Sequence, residues 1–192
     1  LLQMFGNNRG DEVLKTEVRT YQKPQVTFGR AGIEMFDNSY DFKEVKINNS
    51  PVTEGTVMTG SWKVDQGTLI PVPNRWNYLL LGDSTAYDYT FSADIRRTKG
   101  SGQIQFRVRD NGLSGERNDY IGLTIGSGVV EFYRQAGGVR DTLRTPVLYP
   151  FQSNRWYNVK IACKGEQIGC FVNDTLVHET ILPGIPSLVS TA

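Results

Sequence analysis

The stretch Gln103-Ile-Gln-Phe-Arg-Val-Arg109 constrains the fold more than any other part of the chain. Ile104, Phe106 and Val108 alternate with Gln103, Gln105, Arg107 and Arg109. A period of two puts the apolar side chains on one face of a β-strand and the polar ones on the other. Two further stretches repeat the pattern. Tyr89, Phe91 and Ala93 alternate with Thr90, Ser92 and Asp94, and Ile121, Leu123 and Ile125 alternate with Tyr120, Gly122 and Thr124. These read as central strands of an antiparallel sandwich. One face builds the core; the other, carrying Arg107, Arg109 and Tyr120, looks outward.

The rest of the chain supplies more short strands. Val26–Phe28 and Ile33–Phe36 lead through the turn Asp37-Asn-Ser39 to a strand with Tyr40, Phe42, Val45 and Ile47, so 25–47 reads as a hairpin. The alternation breaks between Phe42 and Val45, which marks a β-bulge. Asn48-Asn-Ser-Pro51 reads as a loop. Ser61–Ile70 reads as a second hairpin with Asp65-Gln-Gly67 at its tip, stopped by Pro71 and Pro73. Trp62 and Trp156 fall in apolar strand patterns and are assigned to the core. No helical period emerges beyond the first few residues. Short strands separated by Gly, Asn, Asp and Pro define an all-β chain, an antiparallel β-sandwich or jelly roll.

A length of 192 residues suits one domain with attached fragments. Residues 1–20 read as the remnant of a preceding region, 21–183 as the sandwich, and 184–192 as the start of a following strand. Charge is balanced, 21 basic against 20 acidic residues, which lends nothing to a nucleic-acid or membrane-surface role. No apolar run is long enough to span a bilayer. Cys163 and Cys170 flank a turn at 164–167. With that turn centred on Gly165-Glu166, Cys163 faces Ile168 and Cys170 faces Ile161. The pair then meets only diagonally, which suits two buried thiols better than a disulfide.

Catalysis finds little support. His178 is the single histidine, and it reads as a polar residue on a strand. No Gly-x-Ser-x-Gly turn and no phosphate-binding glycine loop occurs. Asp37, Asp41 and Glu44 lack the two-residue spacing that aims the paired carboxylates of sandwich glycosidases in one direction. No catalytic residue, metal ligand or cofactor is therefore assigned. A structural calcium stays open, with Asp83, Asp88, Asp110 and Asp119 as loop carboxylates, although Ca²⁺ takes about six to eight oxygens and no compact ligand loop is present.

Sugar rings offer C–H patches and hydroxyls, so their sites combine aromatic platforms with planar hydrogen-bonding groups. The outward positions supply both: Arg107, Arg109 and Tyr120, then Glu131 and Tyr133 on the next strand. Trp76 and Tyr78 lie in a loop that would rim the same face. The same residues also suit a plain solvated sheet with cross-strand Arg–Glu and aromatic pairs. The sequence leaves both readings open.

Four segments carry a resemblance: Trp62-Lys-Val-Asp-Gln-Gly-Thr-Leu69, Asp88-Tyr-Thr-Phe-Ser-Ala-Asp94, Arg155-Trp-Tyr-Asn-Val-Lys-Ile161 and Gly169-Cys-Phe-Val-Asn-Asp174. Over 61–181 the pattern resembles concanavalin A-like (laminin-G-like) jelly rolls. The piece that usually closes that pattern stands here before it, as Gly29-Arg-Ala-Gly-Ile33 and Phe42-Lys-Glu-Val-Lys-Ile47. This implies a permuted sandwich whose N-terminal hairpin completes the sheets beside the C-terminal strands. At the ends, Leu2-Gln-Met-Phe-Gly-Asn-Asn-Arg-Gly-Asp-Glu-Val-Leu14 is similar to the segment after the catalytic barrel in family 51 α-L-arabinofuranosidases. Pro186–Ala192 resembles the strand that resumes that family's C-terminal β-domain. Together these resemblances imply a non-catalytic module of a larger glycoside hydrolase, whose two-carboxylate chemistry takes place in a barrel outside this chain. The implied partners are an arabinose-containing polysaccharide or oligosaccharide and that barrel, in a periplasmic or extracellular setting. The module would bind carbohydrate through its outward face and raise local substrate concentration, or serve as a structural docking piece. An independent sandwich glycosidase is a third option.

Overall fold

The computed structural model describes residues 29–35, 40–53, 55–65, 68–72, 76–83, 85–98, 103–112, 119–126 and 128–182. The end remnants at 1–20 and 184–192, the strand over 26–28 and the turn at 37–39 lie outside them. The described residues form sixteen strands in two antiparallel sheets. One sheet runs in the order β12 (Val139–Thr142), β11 (Val129–Ala136), β10 (Tyr120–Gly126), β9 (Ile104–Asp110), β1 (Arg30–Met35), β7 (Asn77–Leu81), β4 (Gly55–Thr59). In it β13 (Val147–Leu148) also pairs with β11. The other runs β16 (Thr175–Ile181), β15 (Gln167–Val172), β14 (Trp156–Lys164), β8 (Tyr89–Arg97), β2 (Tyr40–Ile47), β6 (Thr68–Pro71), β5 (Trp62–Asp65). Here β3 (Ser50–Pro51) pairs with β2.

The alternation in sequence builds the core between these layers. Phe91 and Ile95 of β8 face Ile104, Phe106 and Val108 of β9, and the rings of Phe91 and Phe106 lie 5.6 Å apart. Each such side chain removed from water contributes about 1.5–3 kcal/mol. This apolar layer drives the stacking of the two sheets.

Several local expectations need correction. The segment 25–47 is not a hairpin. β1 enters the middle of one sheet between β9 and β7, and β2 enters the middle of the other between β8 and β6. The N-terminal strands do complete both sheets, but by crossing between them and away from the C-terminal strand β16. β1 is buried on both faces, and β2 buries only Tyr40 and Phe42. Residues 50–51 and 55–59, read as loop or left unassigned, are edge strands whose mixed composition carries no alternation. Trp156 is outside the core: Tyr157, Val159 and Ile161 take the inward positions of β14. Trp156 instead lies on the outer surface between Lys43 and Arg96, at 4.5 and 4.7 Å. Trp62 does pack on the core, edge-on to Phe42 at 6.1 Å.

The bulge read between Phe42 and Val45 is present, with the pairing to β8 slipping between Lys43 and Lys46 and Glu44 at φ 51°. The cysteines take the expected register, Cys163 opposite Ile168 and Cys170 opposite Ile161. Both are free and buried, and burial pushes each thiol up to about 12.

Candidate functional site

The middle of the first sheet does not alternate between core and water, because every residue of β9 and β10 is buried. The face turned away from the core is covered by its own polar and aromatic side chains. Pairing aligns them in rows. Gly32 stands opposite Arg107, Arg107 opposite Gly122, Gly122 opposite Tyr133, and Tyr133 opposite Thr142. The glycines leave room for their neighbours to lie flat. A Cβ on Gly122 would fall 2.1 Å from Cζ of Tyr133, and one on Gly32 would fall 3.1 Å from the Tyr78 ring.

Arg107 is the centre of the arrangement, 4 % exposed. Its Nε and Nη2 each donate to Oε2 of Glu34 at 2.6 Å, and its Nη1 donates to Oδ2 of Asp110 at 3.1 Å. The guanidinium is stacked on two rings, 4.1 Å from the centroid of Tyr78 and 4.0 Å from that of Tyr120. The Tyr78 hydroxyl donates to Asp110 at 2.5 Å, and Trp76 Nε1 donates to Oε1 of Glu34 at 2.6 Å. The second Asp110 oxygen accepts from the Gly112 N–H at 2.7 Å. A buried network with this degree of satisfaction is held rigidly, since each partner fixes the next. Burial pushes the hydroxyls of Tyr78 and Tyr120 up, reinforced at Tyr78 by Asp110 and opposed at Tyr120 by Arg107.

The backbone explains how residues three apart share a face. Arg30 pairs with Asp110 and Gly32 with Arg107, so Val108 and Arg109 together stand opposite Ala31. This is a β-bulge, with Arg109 at φ 55°. The extra residue turns Arg109 away from the outer face and returns Asp110 to it. Arg109 was expected beside Arg107; it is instead fully buried at the end of the sandwich. There its Nη2 donates to the carbonyls of Gly165 and Tyr87, at 2.5 and 3.3 Å.

The other expected residues fall into two groups. Trp76, Tyr78, Arg107 and Tyr120 meet in the network just described. Tyr78 sits on β7 and is not in a loop, and Trp76 stands just before that strand, 41 % exposed. Tyr133 and Glu131 lie on the flank. Tyr133 donates to Oε1 of Gln105 at 2.7 Å, and Arg140 covers its ring at 3.6 Å while pairing with Glu131 at 3.2 Å. Burial, then Tyr120, raises the Tyr133 hydroxyl. Sequence reasoning missed Glu34 as a site residue. Its signal was an acid between Ile33 and Met35 in a strand with no other polar side chain from 31 to 35.

The loop carboxylates considered for calcium have separate protein partners. Asp83 accepts from the Thr85 N–H at 2.8 Å, Asp88 from the Gly165 N–H at 2.7 Å, and Asp119 from the Gly137 N–H at 3.0 Å. Among the described residues, no group of three or more His, Cys, Asp or Glu side chains is placed to hold a metal. His178 is buried in β16 against Phe132, with ring centroids 5.2 Å apart.

A family model described as a 3-keto-alpha-glucoside-1,2-lyase-like domain matches residues 20–187. The chain belongs to this family. Among solved structures, it is similar to a carbohydrate binding module CBM66 from Bacillus subtilis. The identity is 18 % and the TM-score 0.55, over 68 % of this chain and 80 % of that one. At this identity the likeness shows a shared sandwich fold. No curated protein matches the chain.

Proposed function

We propose that this chain is a carbohydrate-binding module that holds a neutral sugar over the Arg107 network without acting on it chemically. The observation that carries this reading is Arg107 itself, clamped between two tyrosine rings and two carboxylates beside the exposed indole of Trp76. Its geometry is preset, so binding costs little ordering of side chains. Oε1 of Glu34 and Oδ1 of Asp110 each accept a single hydrogen bond and keep a further lone pair, and the remaining Arg107 N–H groups are donors. Two carboxylates against one guanidinium leave an excess of acceptors, which suits the hydroxyls of a neutral sugar and disfavours a uronate. The indole face suits the C–H patch of a ring. The sandwich shared with a carbohydrate binding module supports the same reading.

The resemblance of 2–14 and 186–192 to family 51 α-L-arabinofuranosidases supports an arabinose-containing glycan as the ligand and a catalytic barrel as the partner of this module at 21–183. The test is a glycan array followed by calorimetry with arabinan and arabinoxylan oligomers and neutral glucose disaccharides. We expect binding that Trp76→Ala weakens about tenfold. A folded protein that binds no glycan would overturn the reading. Loss of parent activity on deletion of such a non-binding module would establish the docking role instead.

The family description favours a second reading, elimination from a 3-keto glycoside. Glu34 or Asp110 would take the proton on C2, next to the ketone; the C2–H electron pair becomes the C1=C2 double bond as the C1–O bond breaks, and the aglycone oxygen keeps that bond's pair and takes a proton from water. Turnover of a 3-keto disaccharide, followed by NMR and lost in Asp110→Asn, would replace the binding reading with this one.

A further inference from the structure

The Arg107 row has a neighbour on the same face. One row along, Tyr78 stands opposite Glu34, Glu34 opposite Gln105, Gln105 opposite Thr124, and Thr124 opposite Glu131. Two residues of strand separate the rows by about 7 Å. Gln105 accepts from Tyr133 through its carbonyl, and among the described residues its amide N–H groups have no hydrogen-bond acceptor. Among the described residues the buried Thr124 hydroxyl has no partner either. An unsatisfied buried hydroxyl costs about 1–3 kcal/mol, so such a group calls for an explanation. Here an unengaged amide donor and an orphan hydroxyl are adjacent in one row, with Glu131 as a further acceptor. The next position along β10 is Gly126, which carries no side chain above the sheet. On the β7 side, Trp76 comes two residues before Tyr78 and exposes its ring.

We propose that Gln105 and Thr124 form a second sugar subsite, so that the ligand is at least a disaccharide. One residue lies over Arg107; the next lies over Gln105 and Thr124, with Trp76 alongside. The proposal rests on the carbohydrate-binding reading and adds the length of the ligand to it.

Calorimetry separates the two. The probes are methyl α-L-arabinofuranoside, α-1,5-arabinobiose and α-1,5-arabinotriose, with methyl α-glucopyranoside and a 1,2-linked glucose disaccharide as the second series. In the series that binds, the second residue should tighten affinity about tenfold or more and the third less than about threefold. Thr124→Val and Gln105→Leu should collapse the disaccharide-to-monosaccharide ratio toward one. Equal affinity for one and two residues would overturn the second subsite and leave the binding module standing. A ratio that survives both substitutions would place the second residue elsewhere and also overturn it. Failure of every probe to bind would remove both readings together. The comparison along each sugar series uses the unaltered protein, so it decides the point even if a variant does not fold.

Discussion

Replacing Arg107 tests the core of the site most severely. Arg107→Met keeps length and apolar volume but removes the charge, leaving Glu34 and Asp110, both almost fully buried, without their counter-ion. Removing one partner of a buried ion pair costs about 3–5 kcal/mol, because the other charge stays desolvated. The two ring contacts are worth up to about 2 kcal/mol each when desolvated, but methionine retains part of that packing and the losses overlap. We expect a net loss of about 4–5 kcal/mol, a large share of the roughly 5–15 kcal/mol of a typical domain. The triple variant Glu34→Gln/Asp110→Asn/Arg107→Met should recover all but about 1–2 kcal/mol, since a buried ionic network exchanges for neutral groups at little cost. Urea denaturation at constant m-value measures both differences. Both proteins should fail to bind sugar. A single variant that loses less than about 1 kcal/mol, or a triple variant no better than the single one, would refute the reasoning. In that case the stability of this face would come from packing and not from the paired charges.

Gly122→Ala places a methyl where the Tyr133 ring lies. It should cost about 1–3 kcal/mol in thermal or urea unfolding by overpacking. Arg109→Ala, at a residue the bulge turns away from the proposed sugar-binding face, should lower the unfolding midpoint while leaving sugar affinity within about twofold; a large affinity loss would place Arg109 back on that face. Burial holds His178 below the usual histidine value, with Arg144 pushing the same way and Glu179 opposing. Its folded pKa is depressed, so its contribution is complete above the unfolded value. It is then lost as pH falls from there through the folded one. The thermal midpoint should accordingly fall more between pH 7 and pH 5 in the unaltered protein than in His178→Gln.

The strands carrying the site were legible because hydrophobic period is a local property. Ile104, Phe106 and Val108 announced β9, and Ile121, Leu123 and Ile125 announced β10, without knowledge of any neighbour. Arg107, Tyr120 and Tyr133 followed from the same period as residues of the opposite face. Arg109 was misplaced by that reasoning. A bulge inserts one residue and reverses the phase, and nothing between Phe106 and Asp110 marks where the slip occurs. Glu34 was missed because its partner Arg107 lies seventy-three residues away in sequence. The hairpin expected over 25–47 failed for a related reason. A turn between two strands has the same sequence whether they pair with each other or separate into different layers.

The residues by themselves determined that this chain forms short strands stacked around an apolar layer, since burial needs only the alternation written along each strand. Tertiary structure decided what the other face does. Strand order brought Glu34, Arg107 and Tyr78 side by side, and the bulge delivered Asp110 to them. Cross-strand distances and electrostatic pairing arise only between segments remote in sequence, so no single strand could carry them.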